Sequence, residues 1–201
     1  MSRYVILNIE LNAIKAFLDR VITSVDEEIS HVFQMHEDGE FTNFDELDNA
    51  LFIPLESEAI AIRATLYELN ALVEWELRHL AIEPYKYASR YAGKPKFIGD
   101  APPNRLKLVS DLSRGEIRQL IENHYKVDFD ELPGSSEVDR VRRAVNAFKH
   151  RKGFKDFRRD CWSHFPERFE LNRDEAYRAI EATRKFLGAL WKHISSGARQ
   201  A

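Results

Sequence analysis

The sequence EVDRVRRAVNAFKHRKG, residues 137–153, has the clearest helical pattern in this chain. A Pro-Gly pair at 133–134 interrupts whatever precedes it, and Ser136 with Asp139 fits a capping box at its start. Gly153 is typical of a left-handed helix stop. Apolar residues recur at helical spacing and predict the buried side of the helix: Val138, Val141, Val145 and Phe148.

The opposite side of this predicted helix carries residues suited to chemistry on a phosphate. Arg143 and His150 are two turns apart and point within about 20° of each other, with Asn146 between them. A guanidinium can hold a phosphate through two hydrogen bonds, and an imidazole can transfer a proton near neutral pH. Arg143, Asn146 and His150 would together be a minimal set of residues for cleaving RNA without a metal. The same residue types are also common partners of the dipole at a helix C-terminus, with no further role.

The spacing Arg143-x6-His150, followed by bases and Gly153, resembles the motif of the HEPN superfamily, an Arg followed four to six residues later by a His. The resemblance covers about the last two-thirds of the chain. It departs from the family pattern at Ala144, where a polar residue usually follows the Arg. Three nearby bases are candidate contacts to RNA phosphates: Lys149, Arg151 and Lys152.

The resemblance implies an all-α bundle, a metal-independent ribonuclease and no cofactor. It also implies a homodimer in which the motif helices of two protomers meet. The expected setting is a toxin or defence effector that acts on RNA, with an inhibitory partner protein as a further candidate partner.

Apolar periodicity along the chain predicts an up-and-down bundle of about four long helices. The first two are predicted over residues 8–36 and from Pro54 to Ile82, and Asp38-Gly39 ends the first. The other expected helices are a short one opened by Ser113-x-x-Glu116, the helix of residues 137–153, and a last one opened by Asn172-x-x-Glu175. The whole chain, 1–201, is expected to form a single helical domain.

Residues 83–112 are predicted to form an irregular insertion between the second and third main helices. Four prolines, two glycines and several tyrosines lie there among lysines and arginines. Aromatic and basic side chains together can stack on and hold single-stranded nucleic acid. They are more typical of a loop whose aromatic rings pack onto the helices.

The composition of the chain favours an intracellular, cytoplasmic protein. At 44% hydrophobic and 31% charged residues, it is typical of a helix-rich soluble protein, and no apolar run reaches the roughly 20 residues needed to span a bilayer. Cys161 is the single cysteine, which excludes an intrachain disulfide.

The charge is unevenly distributed along the chain. Residues 1–60 carry thirteen acids and three bases, whereas residues 140–159 carry nine Lys or Arg and one acid. The basic part suits an anionic partner such as RNA, and the acidic part alternatively screens it.

Two other classes of function stay open at this point. Glu28-x-x-His31 and Glu76-x-x-His79 have the spacing of di-iron bundles, although the order of ligands along the chain does not match. The acidic N-terminal region also suits a non-catalytic interaction module, such as an antitoxin, an immunity protein or a partner-docking protein. The same interpretation fits Asn146, which is displaced toward His150 from the position directly after Arg143.

Overall fold

A computed structural model describes residues 3–87, 109–151 and 171–197 of this protein. These residues contain helices and turns and no β-strand. The helices are α1 (Arg3–Glu37), α2 (Phe44–Tyr87), α3 (Arg114–Tyr125), α4 (Ser135–Arg151) and α5 (Arg173–Gly197). The prediction of an all-α bundle with four long helices is confirmed.

The first two helices meet at the predicted glycine turn. Helix α1 ends at Glu37, and Gly39 has a positive φ of 78° that favours glycine. The side chain of Asn43 then accepts a hydrogen bond from the Glu46 backbone N–H at 3.0 Å. That bond satisfies one of the orphan donors at the start of α2.

The prediction that the second helix begins at Pro54 is wrong, because α2 begins ten residues earlier and continues through the proline. A proline inside a helix costs about 3 kcal/mol, since it lacks an N–H and crowds the preceding turn. Burial offsets that cost here. Leu47, Pro54 and Ala61 lie seven residues apart and are all buried, so they form one stripe on the inner side of α2.

The predicted end of the second helix at Ile82 is also wrong, because α2 continues through Pro84 to Tyr87. Pro84 is buried, like Ala81 and Ile82 before it. The first residues of the predicted irregular insertion are therefore helical, and its central part, 88–108, lies outside the described residues. Beyond that gap, the backbone carbonyl oxygens of Val109 and Ser110 accept hydrogen bonds from Arg78 of α2, at 2.6 and 2.9 Å.

Two of the three predicted helix starts have the expected caps. Ser113 and Glu116 form a complete capping box at the start of α3. The Asn172 side chain accepts a hydrogen bond from the Glu175 N–H at 2.9 Å and caps α5.

The capping box predicted at Ser136 and Asp139 is wrong, because α4 begins at Ser135. Gly134 has a positive φ of 85°, and its carbonyl oxygen accepts from the N–H of Val138 at 3.0 Å. Gly134 thus occupies the cap position, and the helix begins two residues earlier than it would if Ser136 were the cap.

The chain divides into two compact units. Unit 1 comprises residues 1–69 and 140–181 and contains α1, the first half of α2, most of α4 and the start of α5. Arg173 links three of its segments by donating to Glu58 of α2 at 2.7 Å and to Asp26 of α1 at 2.6 Å. Its core is aliphatic and includes Leu7, Leu11, Leu18, Ile62, Leu66, Leu69, Val141, Val145 and Ile180.

Unit 2 comprises residues 70–139 and 182–201. Phe129 and Phe186 meet edge to face in it, with ring centroids 5.5 Å apart. Arg118 lies over the Phe129 ring and donates to both carboxylate oxygens of Asp130, which fixes the turn after α3. The fully buried Glu76 accepts a hydrogen bond from the indole N–H of Trp191 at 3.2 Å.

Candidate functional site

Helix α4 is divided lengthwise into a buried and an exposed side. The buried side holds small and aliphatic residues, as the apolar spacing predicts. Its members in unit 1 are Val141, Ala144, Val145 and Ala147. Phe148, predicted for the same stripe, is half-buried. The buried side fixes the rotation of the helix and thereby decides which residues face outward.

Arg143 and His150 lie on the exposed side, and the half-buried Asn146 lies between them. Seven residues of helix separate Arg143 from His150, which is a rise of about 10 Å. The structure therefore brings the three predicted catalytic residues to one side of one helix. We call this set, Arg143, Asn146 and His150, the α4 column.

Ala144, at the position where the HEPN pattern usually has a polar residue, is 2% exposed and faces the core. A polar side chain there would be desolvated in this fold unless it found a hydrogen-bond partner. Asn146, by contrast, is oriented toward the same side as Arg143 and His150. The amide side chain on this side of α4 therefore lies three residues after Arg143 instead of directly after it.

Two contacts fasten α4 to its neighbours within unit 1. Arg140 forms an ion pair with Glu175 of α5, whose side chain is 10% exposed. The ammonium group of Lys149 lies over the ring of Tyr67 on α2, 5.4 Å from its centroid. Such cation–π contacts contribute about 0.5–1 kcal/mol at exposed sites. The two contacts lie at opposite ends of this part of α4 and connect it to α5 and to α2.

Of the three predicted RNA-binding bases, Lys149 is the one whose side chain lies within the described residues. Lys149 is exposed and keeps its ammonium group near Tyr67. Arg151 is the last residue of α4, and its side chain lies outside the described residues, as does Lys152. The predicted stop at Gly153, the lone Cys161 and the aromatic segment 154–169 also lie outside them.

Sequence reasoning missed Arg140, Glu175 and Tyr67 as supports of the α4 column. In the sequence, Arg140 is one of nine bases in the 140–159 segment and nothing distinguishes it from the others. Its pairing with a residue 35 positions later depends on how α4 packs against α5, and no local pattern encodes that contact. The acid at position 175 was recognised only as part of a helix start.

The di-iron hypothesis gains no support from the described residues. Glu28, His31 and His79 are exposed, and the His79 ring stacks on Trp75 with centroids 5.0 Å apart. In the ranges 3–87, 109–151 and 171–197, no group of three or more His, Cys, Asp or Glu could hold a metal ion.

An open groove of about 480 Å³ runs along α1 rather than beside the α4 column. Its described lining is polar and comes from one side of α1: Thr23, Asp26, Glu27, Ser30, His31 and Gln34. Among the described residues, no helix is both long enough and apolar enough to cross a membrane.

Comparisons of the chain with protein-family models, with curated proteins and with solved structures found no match.

Proposed function

We propose that this protein is a metal-independent endoribonuclease whose catalytic residues are Arg143, Asn146 and His150. The observation that carries the proposal is the placement of these three side chains on the outer side of α4, away from the buried stripe. The resemblance of the Arg143-x6-His150 spacing to the HEPN motif supplies the reaction class.

The chemistry needs no metal because RNA carries its own nucleophile. The 2′-oxygen attacks the adjacent phosphorus, the bond from phosphorus to the 5′-oxygen breaks, and a 2′,3′-cyclic phosphate and a 5′-hydroxyl form. One proton leaves the 2′-hydroxyl and one reaches the departing 5′-oxygen. His150 is the proton-transfer group in this scheme, since imidazole exchanges protons near neutral pH.

Arg143 binds the scissile phosphate and stabilises the negative charge that grows on its oxygens during attack. Such electrostatic stabilisation is usually the largest single contribution to catalysis. Asn146 lies between the two charged groups and positions either the imidazole or a phosphate oxygen. Lys149, Arg151 and Lys152 bind flanking phosphates, which makes binding sensitive to salt.

The same resemblance leads us to propose that the protein acts as a homodimer with α4 at the interface. Two copies of the α4 column would then contribute to one site. A cellular role as a toxin or defence effector, restrained by an inhibitory partner protein, belongs to the same proposal.

Cleavage of single-stranded RNA by the purified protein, with and without EDTA, tests the proposed activity. Three variants remove one member each of the α4 column: Arg143→Ala, Asn146→Ala and His150→Ala. Matched controls are Arg20→Ala and His31→Ala, which remove an exposed arginine and an exposed histidine of α1.

We expect EDTA-resistant cleavage that falls by at least about 100-fold in Arg143→Ala and His150→Ala, with full activity in both controls. Cleavage that survives the loss of His150, or that EDTA abolishes, contradicts the proposal.

A second candidate function is a non-catalytic interaction module. The observation that favours it is a set of large apolar side chains that α1 and α2 expose, among them Phe44 at 78% and Ile53 at 69% exposed. Lack of cleavage by folded protein across several RNA substrates would favour this function over the nuclease.

A further inference from the structure

The second half of α1, the turn after it and the first half of α2 form a segment without positive side chains. No Lys or Arg occurs between Arg20 and Arg63, whereas eleven Asp and Glu do. All of this segment belongs to unit 1. We call residues 21–62 the acidic hairpin.

The two arms of the acidic hairpin run side by side in opposite directions. Arg173 donates to Asp26 on α1 and to Glu58 on α2, so these two positions lie at the same level. In the turn between the arms, the ring of Phe41 lies 6.3 Å from the ring of His36 near the end of α1. The contacts of Arg173 therefore place the two arms next to each other.

Most of the acids on the acidic hairpin form no ion pair within the described part of the chain. Asp26 and Glu58 are neutralised by Arg173, and Glu56 pairs with Arg63 at 2.7 Å. Eight other acids form no ion pair with any described residue: Glu27, Glu28, Glu37, Asp38, Glu40, Asp45, Glu46 and Asp48. All eight are exposed.

Large apolar side chains project into solvent among these acids. They comprise both aromatic and aliphatic residues, and each is close to half exposed or more: Phe33, Phe44, Phe52, Ile53, Leu55 and Ile60. Single exposed apolar residues are ordinary on a protein surface, but a concentration of them indicates a binding site. Aromatic residues in particular are enriched where proteins bind one another.

We propose that the acidic hairpin is the docking surface for a cationic amphipathic segment of a partner protein. Apolar residues on one side of that segment cover Phe52, Ile53 and their neighbours, and its Lys and Arg face the exposed acids. We infer a cationic partner because its positive charges complement the acids of the acidic hairpin. A nucleic acid or an anionic lipid surface is repelled by the same acids, and an isologous contact with a second copy brings like charges together.

This inference does not rest on the proposed nuclease activity. The acidic hairpin contains no member of the α4 column, so binding there can succeed or fail whatever the outcome of the cleavage assay.

The test uses the full chain and a designed helical peptide of about 18 residues, with leucines on one face and lysines on the other. Two control peptides separate charge from shape: one has the same composition in scrambled order, and one has Glu in place of every Lys. We expect the amphipathic lysine peptide to bind on the order of tenfold more tightly than the scrambled peptide, with no measurable binding of the Glu peptide.

Paired variants of the protein then locate the binding surface. Phe52→Ser/Ile53→Ser is expected to weaken peptide binding by about tenfold or more, because exposed aromatic and aliphatic anchors carry most of the energy of such contacts. The matched control is Ile9→Ser/Phe17→Ser, which alters two exposed apolar residues of α1 outside the acidic hairpin. This control should leave binding unchanged.

A second pair of variants tests the charges. Glu27→Gln/Glu28→Gln is expected to weaken binding several-fold at low salt and much less at high salt. Glu131→Gln/Asp174→Asn removes two exposed acids elsewhere and should have no effect. Equal binding of the scrambled peptide, or equal losses in test and control variants, would overturn the proposal. It would also be overturned by a homodimer in sedimentation that Phe52→Ser/Ile53→Ser dissociates, since the surface would then be covered by a second copy.

Discussion

Arg140 on α4 pairs with Glu175 on α5, whose carboxylate is almost completely removed from solvent. The second oxygen of that carboxylate, Oε2, is buried and has no hydrogen-bond partner among the described residues. Arg140 is therefore the main ion-pair partner of Glu175, and Arg178 lies at a longer distance of 3.8 Å. This pair fastens the helix that carries the α4 column.

Arg140→Ala should destabilise the protein, because it leaves a buried carboxylate with its main partner removed. We expect the free energy of unfolding in urea to fall by about 1–3 kcal/mol, toward the lower end because the arginine itself is partly exposed. Arg20→Ala, at an exposed position of α1, should change the free energy by less than about 0.5 kcal/mol. Equal free energies of unfolding in Arg140→Ala and Arg20→Ala would show that the ion pair between Arg140 and Glu175 does not stabilise the protein.

Three glycines should respond to alanine in three different ways. At Gly134 a new Cβ would overlap the backbone carbonyl oxygen of Ala182, and the positive φ of 85° adds strain. We expect Gly134→Ala to cost about 3 kcal/mol or more in the free energy of unfolding.

Gly39 and Gly115 provide the matched controls for this substitution. Gly39 shares the positive φ but has open space around it, so Gly39→Ala should cost about 1 kcal/mol. Gly115, in the first turn of α3, has neither constraint, and Gly115→Ala should stabilise by a few tenths to about 1 kcal/mol. A loss in Gly134→Ala no larger than that in Gly39→Ala, measured by urea unfolding, would contradict the close packing at Gly134.

The hydrogen bond from Tyr177 to Asp19 should make stability depend on alkaline pH. Burial and this bond raise the pKa of Tyr177 to about 12. A raised folded-state pKa stabilises the protein below the unfolded tyrosine pKa of about 10, and the benefit is lost as the pH rises through about 12.

The free energy of unfolding of the parent should therefore fall more steeply than that of Tyr177→Phe between about pH 10 and pH 12. Tyr4→Phe, at an exposed tyrosine, should behave like the parent. Ultraviolet titration of the tyrosines adds an independent readout, because a group that ionises near pH 12 should disappear in Tyr177→Phe. The same slope in parent and Tyr177→Phe would refute the coupling.

The same contact should act in the opposite direction at acid pH. Hydrogen bonds from Lys15 and Tyr177 hold the pKa of Asp19 below its usual value. The resulting stabilisation is present above the unfolded pKa of about 3.9 and is lost as the pH falls through the lower folded value. Asp19→Asn should therefore reduce the dependence of stability on pH in this acid range, with Asp174→Asn as the control. An unchanged acid profile in Asp19→Asn would contradict the predicted contribution.

Arg173 should stabilise unit 1 in a salt-dependent manner, because it joins Asp26 of α1 and Glu58 of α2 to the start of α5. Arg173→Ala is expected to lower the free energy of unfolding by about 1–2 kcal/mol at low salt, and by less near 1 M NaCl. Arg173→Lys keeps the charge but loses the planar fork, so it should fall between the parent and Arg173→Ala. A loss that does not change with salt would exclude an electrostatic origin.

The elements that sequence reasoning predicted are those specified by neighbouring residues. Ser113 with Glu116 and Asn172 with Glu175 are local caps, and both helices begin where these patterns place them. The exposed placement of Arg143 and His150 follows from helical periodicity alone. Local patterns were sufficient because each of these features is decided within two turns of helix.

The failures occur where packing between distant segments outweighs a local rule. Pro54 is a strong helix breaker, yet α2 passes through it because the buried stripe of Leu47, Pro54 and Ala61 continues across the proline. Ser136 is a good capping residue, yet α4 begins two residues too early for it, next to Gly134, which packs closely against Ala182. The contacts that fasten the α4 column, from Arg140 and from Lys149, likewise connect residues far apart in sequence.

The most direct test of the central claim is cleavage of an RNA oligonucleotide that carries a single 2′-deoxy substitution at the cleaved position, assayed in EDTA. The account predicts that the all-RNA oligonucleotide is cut to a 2′,3′-cyclic phosphate and a 5′-hydroxyl, and that the substituted oligonucleotide is not cut at that position. His150→Ala should cut neither. Cleavage at the 2′-deoxy position, or products that end in a 5′-phosphate, would contradict attack by the 2′-hydroxyl and with it the assigned roles of Arg143 and His150.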